Sequence, residues 1–114
     1  MRRGEIWLIN LEPTVGVEIN KIRPAVIVND DAVGILPLKV IVPITQWKDR
    51  YVVAPWMVWL EPNAENDLDK PSAADTFQVR SVAQERFVRQ IGKLSDATMR
   101  KISRALAVVL SIKL

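Results

Sequence analysis

The sequence predicts a mostly β chain closed by one C-terminal helix, an α+β arrangement built as a small barrel or sandwich. Three observations carry this. Short runs rich in Val, Ile and Trp recur up to Leu94, each stopped by turn chemistry. Helical spacing of apolar residues appears only after Ser95. The chain has 114 residues, 49% hydrophobic and 25% charged, which suits one domain over residues 1–114 with a single core.

Taken in order, Glu5–Leu11 reads as the first strand and stops at Glu12-Pro13. Pro24–Asn29 is a near-continuous Val/Ile run, suited to a strand buried on both faces or closing a barrel. Leu38–Thr45 is the third, where Pro43 demands an edge, a bulge or a strand end. Trp56–Leu60 follows and ends at Glu61-Pro62. Thr76–Arg80 alternates, which places Phe77 and Val79 on one face and Thr76, Gln78 and Arg80 on the other. Phe87–Leu94 is a further strand in which Gly92 suggests a bulge or bend. Ser95 then caps a helix, with Asp96 at its positive end. Met99, Ile102, Leu106, Val109 and Leu110 form its apolar face, opposite Arg100, Lys101 and Arg104. From Ala105 to Ile112 it is apolar almost all round, so it needs cover on more than one side: its own sheet, or a second subunit.

The connection Glu12–Ile22 is longer than a barrel requires, as is Asn63–Lys70. The latter carries Glu65, Asp67 and Asp69 but lacks the spacing and turn glycine of a calcium loop, so it reads as a solvated turn. The longest apolar run, Ala105–Leu110, is six residues, against about 20 for a membrane span. The start is a poor signal peptide, and a cytoplasmic protein is expected.

Composition excludes much chemistry. With no cysteine and no histidine, there is no disulfide, thiolate metal site, cysteine nucleophile or imidazole base. An enzyme of this composition works with Arg, Lys, carboxylates, hydroxyls and backbone amides. The net charge of +3 is uneven: residues 1–75 hold 8 basic and 11 acidic side chains, residues 76–114 hold 8 and 2. The basic end favours a polyanion or an acidic partner, and equally fits a solvated helix face.

Arg23 precedes Pro24, which holds it extended at a stiff strand start. A guanidinium so placed suits a phosphoryl transition state, and equally a surface ion pair. Thr45 ends the third strand, where its hydroxyl could bind a phosphate oxygen or a local backbone group. Glu18 lies in the long connection, as a base or as a solvated carboxylate. Gln78, Arg80 and Ser81 form a polar stretch able to meet phosphates or base edges, or simply water. Of the four tryptophans, Trp47 could stack on a base, whereas Trp7 and Trp59 read as core.

The strings Arg3–Leu8 (RGEIWL), Leu11–Glu18 (LEPTVGVE) and Arg23–Asn29 (RPAVIVN) together resemble the opening of the MazF/PemK (Kid) family. These are toxin ribonucleases of bacterial toxin–antitoxin pairs. The resemblance continues through Val42-Pro43-Ile44-Thr45, Gln78-Val79-Arg80-Ser81-Val82 and Arg86-Phe87-Val88, and reaches the final helix. It implies an SH3-like β-barrel of the MazF/CcdB type, a homodimer, and metal-independent cleavage of single-stranded RNA without a cofactor. It places the catalytic pair on Arg23 and Thr45, with the loop glutamate at Glu18. Gln78, Arg80 and Ser81 become RNA contacts, and Gln46, Trp47, Asn20 and Lys21, which flank the pair, are grouped with them. Where some plasmid-borne members carry a histidine and an Arg/Asp pair, this chain has Val17, Asp75 and Phe77, so the MazF-type arrangement is the one carried over.

RNA brings its own nucleophile, the 2′-hydroxyl, so cleavage needs orientation, proton removal and charge stabilisation rather than an enzymatic nucleophile. The products would be a 2′,3′-cyclic phosphate and a 5′-hydroxyl. The implied partners are single-stranded RNA and an antitoxin with an acidic disordered segment. A CcdB-like gyrase-binding toxin is the alternative, disfavoured because the chain ends Ser111-Ile112-Lys113-Leu114 without a tryptophan tail.

Overall fold

The computed structural model describes residues 1–13, 15–18, 21–34 and 37–113. Its strands are β1 (Glu5–Asn10), β2 (Ile22–Ile27), β3 (Leu38–Gln46), β4 (Met57–Leu60), β5 (Ser72–Asp75), β6 (Arg80–Ala83) and β7 (Phe87–Lys93), followed by helix α1 (Asp96–Val109). Neighbouring strands are antiparallel, in the order β4-β5-β3-β2-β1-β7, with β6 also paired to β3.

β3 organises the fold. One edge pairs with β2, Ala25 opposite Pro43. The other edge pairs with β6 over Leu38–Ile41 and with β5 over Ile44–Gln46. Pro43 falls in the gap between those two partners, where no neighbour on that edge requires the N–H that proline lacks. The proline marks the point at which β3 passes from one sheet to the next.

Alternation along the strands divides the apolar side chains into two clusters. Ile6, Val26, Val42 and Ile44 pack with Val58 and Leu60 of β4, under Met99, Ile102 and Ala105 of α1. Ile9, Leu11, Ala25, Ile27, Ile41 and Val82 form the second cluster, against Trp7 and Phe87. Ala25–Val28 is buried on both faces, as its continuous apolar character predicts. In β7 the register against β1 shifts between Ile6 and Trp7, which leaves Ile91 bulged beside Gly92.

The helix starts as its sequence predicts: Ser95 Oγ accepts from Thr98 N at 3.2 Å. It ends at Leu110 with Ser111 at φ +56, Ser111 N bonded to Val108 O and Ile112 N to Ala107 O. That is a Schellman closure. Its buried side is Met99, Ile102 and Ala105, whereas Val108, Leu110 and Ile112 are exposed. No helix among the described residues is long and apolar enough to cross a membrane.

Three expectations need correction. Thr76–Arg80 is not one strand: Thr76–Gln78 forms a 3-10 turn and β6 starts at Arg80. Asp75 caps that turn through Phe77 N, Thr76 is fully buried with its hydroxyl donating to Trp56 O at 2.7 Å, and Phe77 is 70% exposed. β5, with the sequence Ser-Ala-Ala-Asp, has no strand signal, yet all four residues are buried between β3 and β4. Trp59 is no core residue: it lies on the outer face of edge strand β4, 44% exposed. Trp7 is only half-buried, at the rim of the second cluster.

Candidate active site

The β2–β3 register brings the two leading candidates together. Ala25 faces Pro43, Val26 faces Val42 and Ile27 faces Ile41. Carried two residues further, the same register sets Arg23 opposite Thr45. Residues two apart share a face, so Arg23 lies on the side of Ala25 and Ile27, and Thr45 on the side of Ile41 and Pro43. At this end of the strand pair a cleft of about 280 Å³ opens, with Arg23, Thr45 and Gln46 in its wall. The connection from β4 to β5 closes its other side with Leu68, Asp69 and Lys70. Arg23 is exposed and Thr45 half-buried, so the cleft offers a guanidinium and a hydroxyl on rigid strand ends. Lys70 adds a second cation and Asp69 a carboxylate.

The connection behind this wall is held from within. Asn66 is buried, and Asn63 and Asn66 exchange side-chain-to-backbone bonds at 2.8 and 3.0 Å. The Asn66 amide also donates to Glu61 O, and its oxygen takes Leu68 N. Lys93 N donates to Glu65 O, which ties the segment to β7.

Next to Gln46 in the chain, Trp47 begins an aromatic cluster. Trp47 meets Trp59 edge-on at 4.9 Å and Tyr51 at 5.6 Å, and the Arg50 guanidinium sits 5.5 Å from the Tyr51 ring centre.

Among the described residues, the other sequence candidates are not in the cleft wall. Glu18 is exposed, and its carboxylate accepts Val15 N of its own loop. Lys21 is exposed with φ +66, its N–H held by Glu12 at 2.8 Å. Asn20 lies outside the described residues. Arg80 and Ser81 pair with Ile41 and Val40, so they sit about 13 Å or more along β3 from Thr45. The Gln78 amide donates to Asp75 at 3.0 Å. Burial pushes the Asp75 carboxyl above the ordinary aspartate range, while its hydrogen bonds from Gln78 and Phe77 pull it back down.

Residues 2–110 match the family model described as PemK-like, MazF-like toxin of type II toxin–antitoxin system. The chain belongs to this family. Endoribonuclease MazF9 of Mycobacterium tuberculosis is 35% identical, with 98% of each chain covered. Endoribonuclease MazF of Staphylococcus saprophyticus is 30% identical over 98% of this chain and 92% of its own. Among solved structures, MazF from Deinococcus radiodurans superposes with TM-score 0.80 at 20% identity, covering 98% of this chain and 97% of its own. A mycobacterial endoribonuclease in complex with its cognate antitoxin gives 0.79 at 21%, covering 100% and 98%. These two likenesses bear on the fold, and they agree with a MazF-type α+β architecture.

In this MazF-type chain, sequence reasoning missed Leu68, Asp69 and Lys70 as part of the cleft. Their acidic neighbourhood reads as a solvated turn, and only the return of the chain into β5 beside β3 carries them to Thr45. The pairing of β5 with β3 is long-range, and Ser-Ala-Ala-Asp gives no local signal for it.

Proposed function

We propose that this single-domain protein is an endoribonuclease toxin that cuts single-stranded RNA at the Arg23/Thr45 cleft. The observation that carries the reading is the juxtaposition itself. In a chain of the MazF-like toxin family, Arg23 and Thr45 line one cleft, each two residues beyond the last paired positions, Ala25 and Pro43, of adjacent strands. Relatives covering nearly the whole chain carry the name endoribonuclease.

In the proposed reaction, the ribose 2′-oxygen attacks the adjacent phosphorus while the bond to the 5′-oxygen breaks. Arg23 stabilises the charge that builds on the non-bridging oxygens, and the Thr45 hydroxyl donates to one of them. A carboxylate takes the 2′-hydroxyl proton. Asp69 lines the cleft, and it fits this task better than Glu18, whose carboxylate is turned to its own loop. The leaving 5′-oxygen is protonated from solvent, which gives 2′,3′-cyclic phosphate and 5′-hydroxyl ends. Gln46 and the Trp47 cluster are placed to hold flanking bases, since unstacked bases offer both faces and edges.

Toxin-family membership also supports an antitoxin partner, a cytoplasmic location and a homodimer. The exposed Val108, Leu110 and Ile112 at the helix end are available for such a contact.

The test incubates the purified protein with a long RNA in EDTA and maps new 5′ ends by primer extension. Discrete cuts that vanish in a folded Arg23→Ala variant support the reading. Equal cutting by that variant removes Arg23 from the reaction.

A further inference from the structure

Arg86 stands outside the cleft, at the end of the 3-10 turn Gln84–Arg86 that leads into β7. Its guanidinium Nη1 reaches back to the carbonyls of Asn10 and Glu12, where β1 ends and the long connection to β2 departs. Glu12 continues the chain of contacts: its carboxylate accepts Lys21 N at 2.8 Å, at the far end of that connection. Leu11 N donates to Lys21 O at 3.0 Å, and Asn10 Oδ1 takes Glu12 N at 3.0 Å. Both ends of the connection are therefore held in one knot. Its exit, Lys21, has φ +66, a left-handed conformation that a lysine keeps only when its surroundings hold it there. Arg23 follows two residues later.

Resting on the proposed function, we propose that Arg86 and Glu12 are positioning residues for RNA cleavage. Arg86 fixes Glu12, Glu12 fixes Lys21, and the backbone so set delivers Arg23 to its place opposite Thr45. Ordering a long arginine on two main-chain carbonyls costs side-chain entropy, so the contact is not a default of a solvated surface. It joins three separate pieces of chain: the turn before β7, the end of β1 and the start of β2. It touches neither Thr45 nor the cleft wall, so its effect on cleavage runs through the backbone that carries Arg23.

The experiment uses the full chain and a short RNA that contains one cut site mapped as above. Turnover is measured on the RNA, and affinity on the same oligonucleotide with a 2′-deoxy residue at the cut. Because a displacement near 1 Å can cost about 100-fold in rate, Arg86→Ala should lower kcat by roughly 10- to 100-fold while affinity for the 2′-deoxy strand stays within about 3-fold. Arg86→Lys keeps the charge but loses the guanidinium, and should fall between. Should Arg86→Ala fail to fold, Glu12 carries the test. Glu12→Ala should lose kcat, and Glu12→Gln, whose amide oxygen can accept Lys21 N, should recover most of it. Wild-type kcat in both Arg86→Ala and Glu12→Ala, with Arg23→Ala inactive, overturns the proposal alone. A parallel loss of kcat and affinity overturns it too, by making Arg86 an RNA contact. Normal cleavage by Arg23→Ala overturns the reading of the cleft instead, and the positioning role with it.

Discussion

Gly92 is the position where a single methyl group should tell most about how the cleft is supported. It lies in β7 beside the bulged Ile91, and the segment behind the cleft passes directly over it. A Cβ built there would lie 2.6 Å from Glu65 O and 2.7 Å from the C and O atoms of Asn66. Ordinary contact begins at 3.4 Å, so the overlying backbone must retreat by about 0.8 Å. It cannot do so by moving a side chain. The atoms are main chain, and Asn66 is locked by its exchange with Asn63 and its bond to Glu61 O. Overpacking of this kind costs roughly 1–3 kcal/mol. Losing the bond from Lys93 N to Glu65 O adds about 1 kcal/mol. Gly92→Ala should thus destabilise by about 2–4 kcal/mol, or a Tm lower by roughly 8–16 °C at this chain length.

The sign is as informative as the size. In an ordinary strand interior, replacing glycine with alanine gains about 0.5–1 kcal/mol. Thermal and urea melts followed by circular dichroism measure the change. A Tm equal to or above that of the natural chain would show that the segment over β7 is not packed as described. The displaced segment runs on into Leu68, Asp69 and Lys70, so turnover below the melting range should also fall.

Two other perturbations address the core and the polar interior. Ile102 is fully buried between α1 and the sheet, so Ile102→Ala should cost about 2–5 kcal/mol in a urea melt; a cost below 1 kcal/mol would show that the helix is not seated there. Asp75 concerns pH. Burial raises its carboxyl in the folded chain above the ordinary aspartate value of 3.8, so the folded state holds the proton to higher pH than the unfolded state. Its contribution to stability is fully present below that unfolded value and is lost as pH rises through the raised one. Asp75→Asn has no such proton to lose. The variant should therefore gain on the natural chain as pH is raised from below 3.8 towards neutrality, and parallel stability–pH curves would refute the assignment.

What could be read in advance follows the range of the interactions concerned. The helix start at Ser95, the doubly buried run Ala25–Val28 and the disturbance at Gly92 are each written in a few adjacent residues, and the structure contains all three. Pro43 announced an interruption of β3 but not its nature, which is the exchange of one partner strand for another. β5 was illegible because its residues are small: Ser, Ala and Ala are buried there, and none of them favours strands on its own. Thr76–Arg80 misled because alternation over five residues cannot be told from a capped turn running into a strand. The cleft shows the same limit. Arg23 and Thr45 are unremarkable residues individually; the family resemblance pairs them, and both line one cleft.

That register explains why the site lies where it does. Each of the two candidates has a proline close by in its own strand, Pro24 after Arg23 and Pro43 before Thr45, and Leu8 and Ala25 are their cross-strand partners. The prolines restrict backbone freedom next to the two candidate side chains, while the apolar clusters on the two faces fix both strands against rotation. By contrast, the cleft's other wall comes from the β4–β5 connection, which is sequence between strands. The proposed cleavage pair on rigid strand ends, rimmed by loops, would let the rim change its choice of bases without moving the pair. Arg86 and Glu12 belong to the rigid half of this division. Although they lie on connecting segments, what they hold is the backbone entering β2, so the structure assigns them to rate rather than to RNA sequence choice.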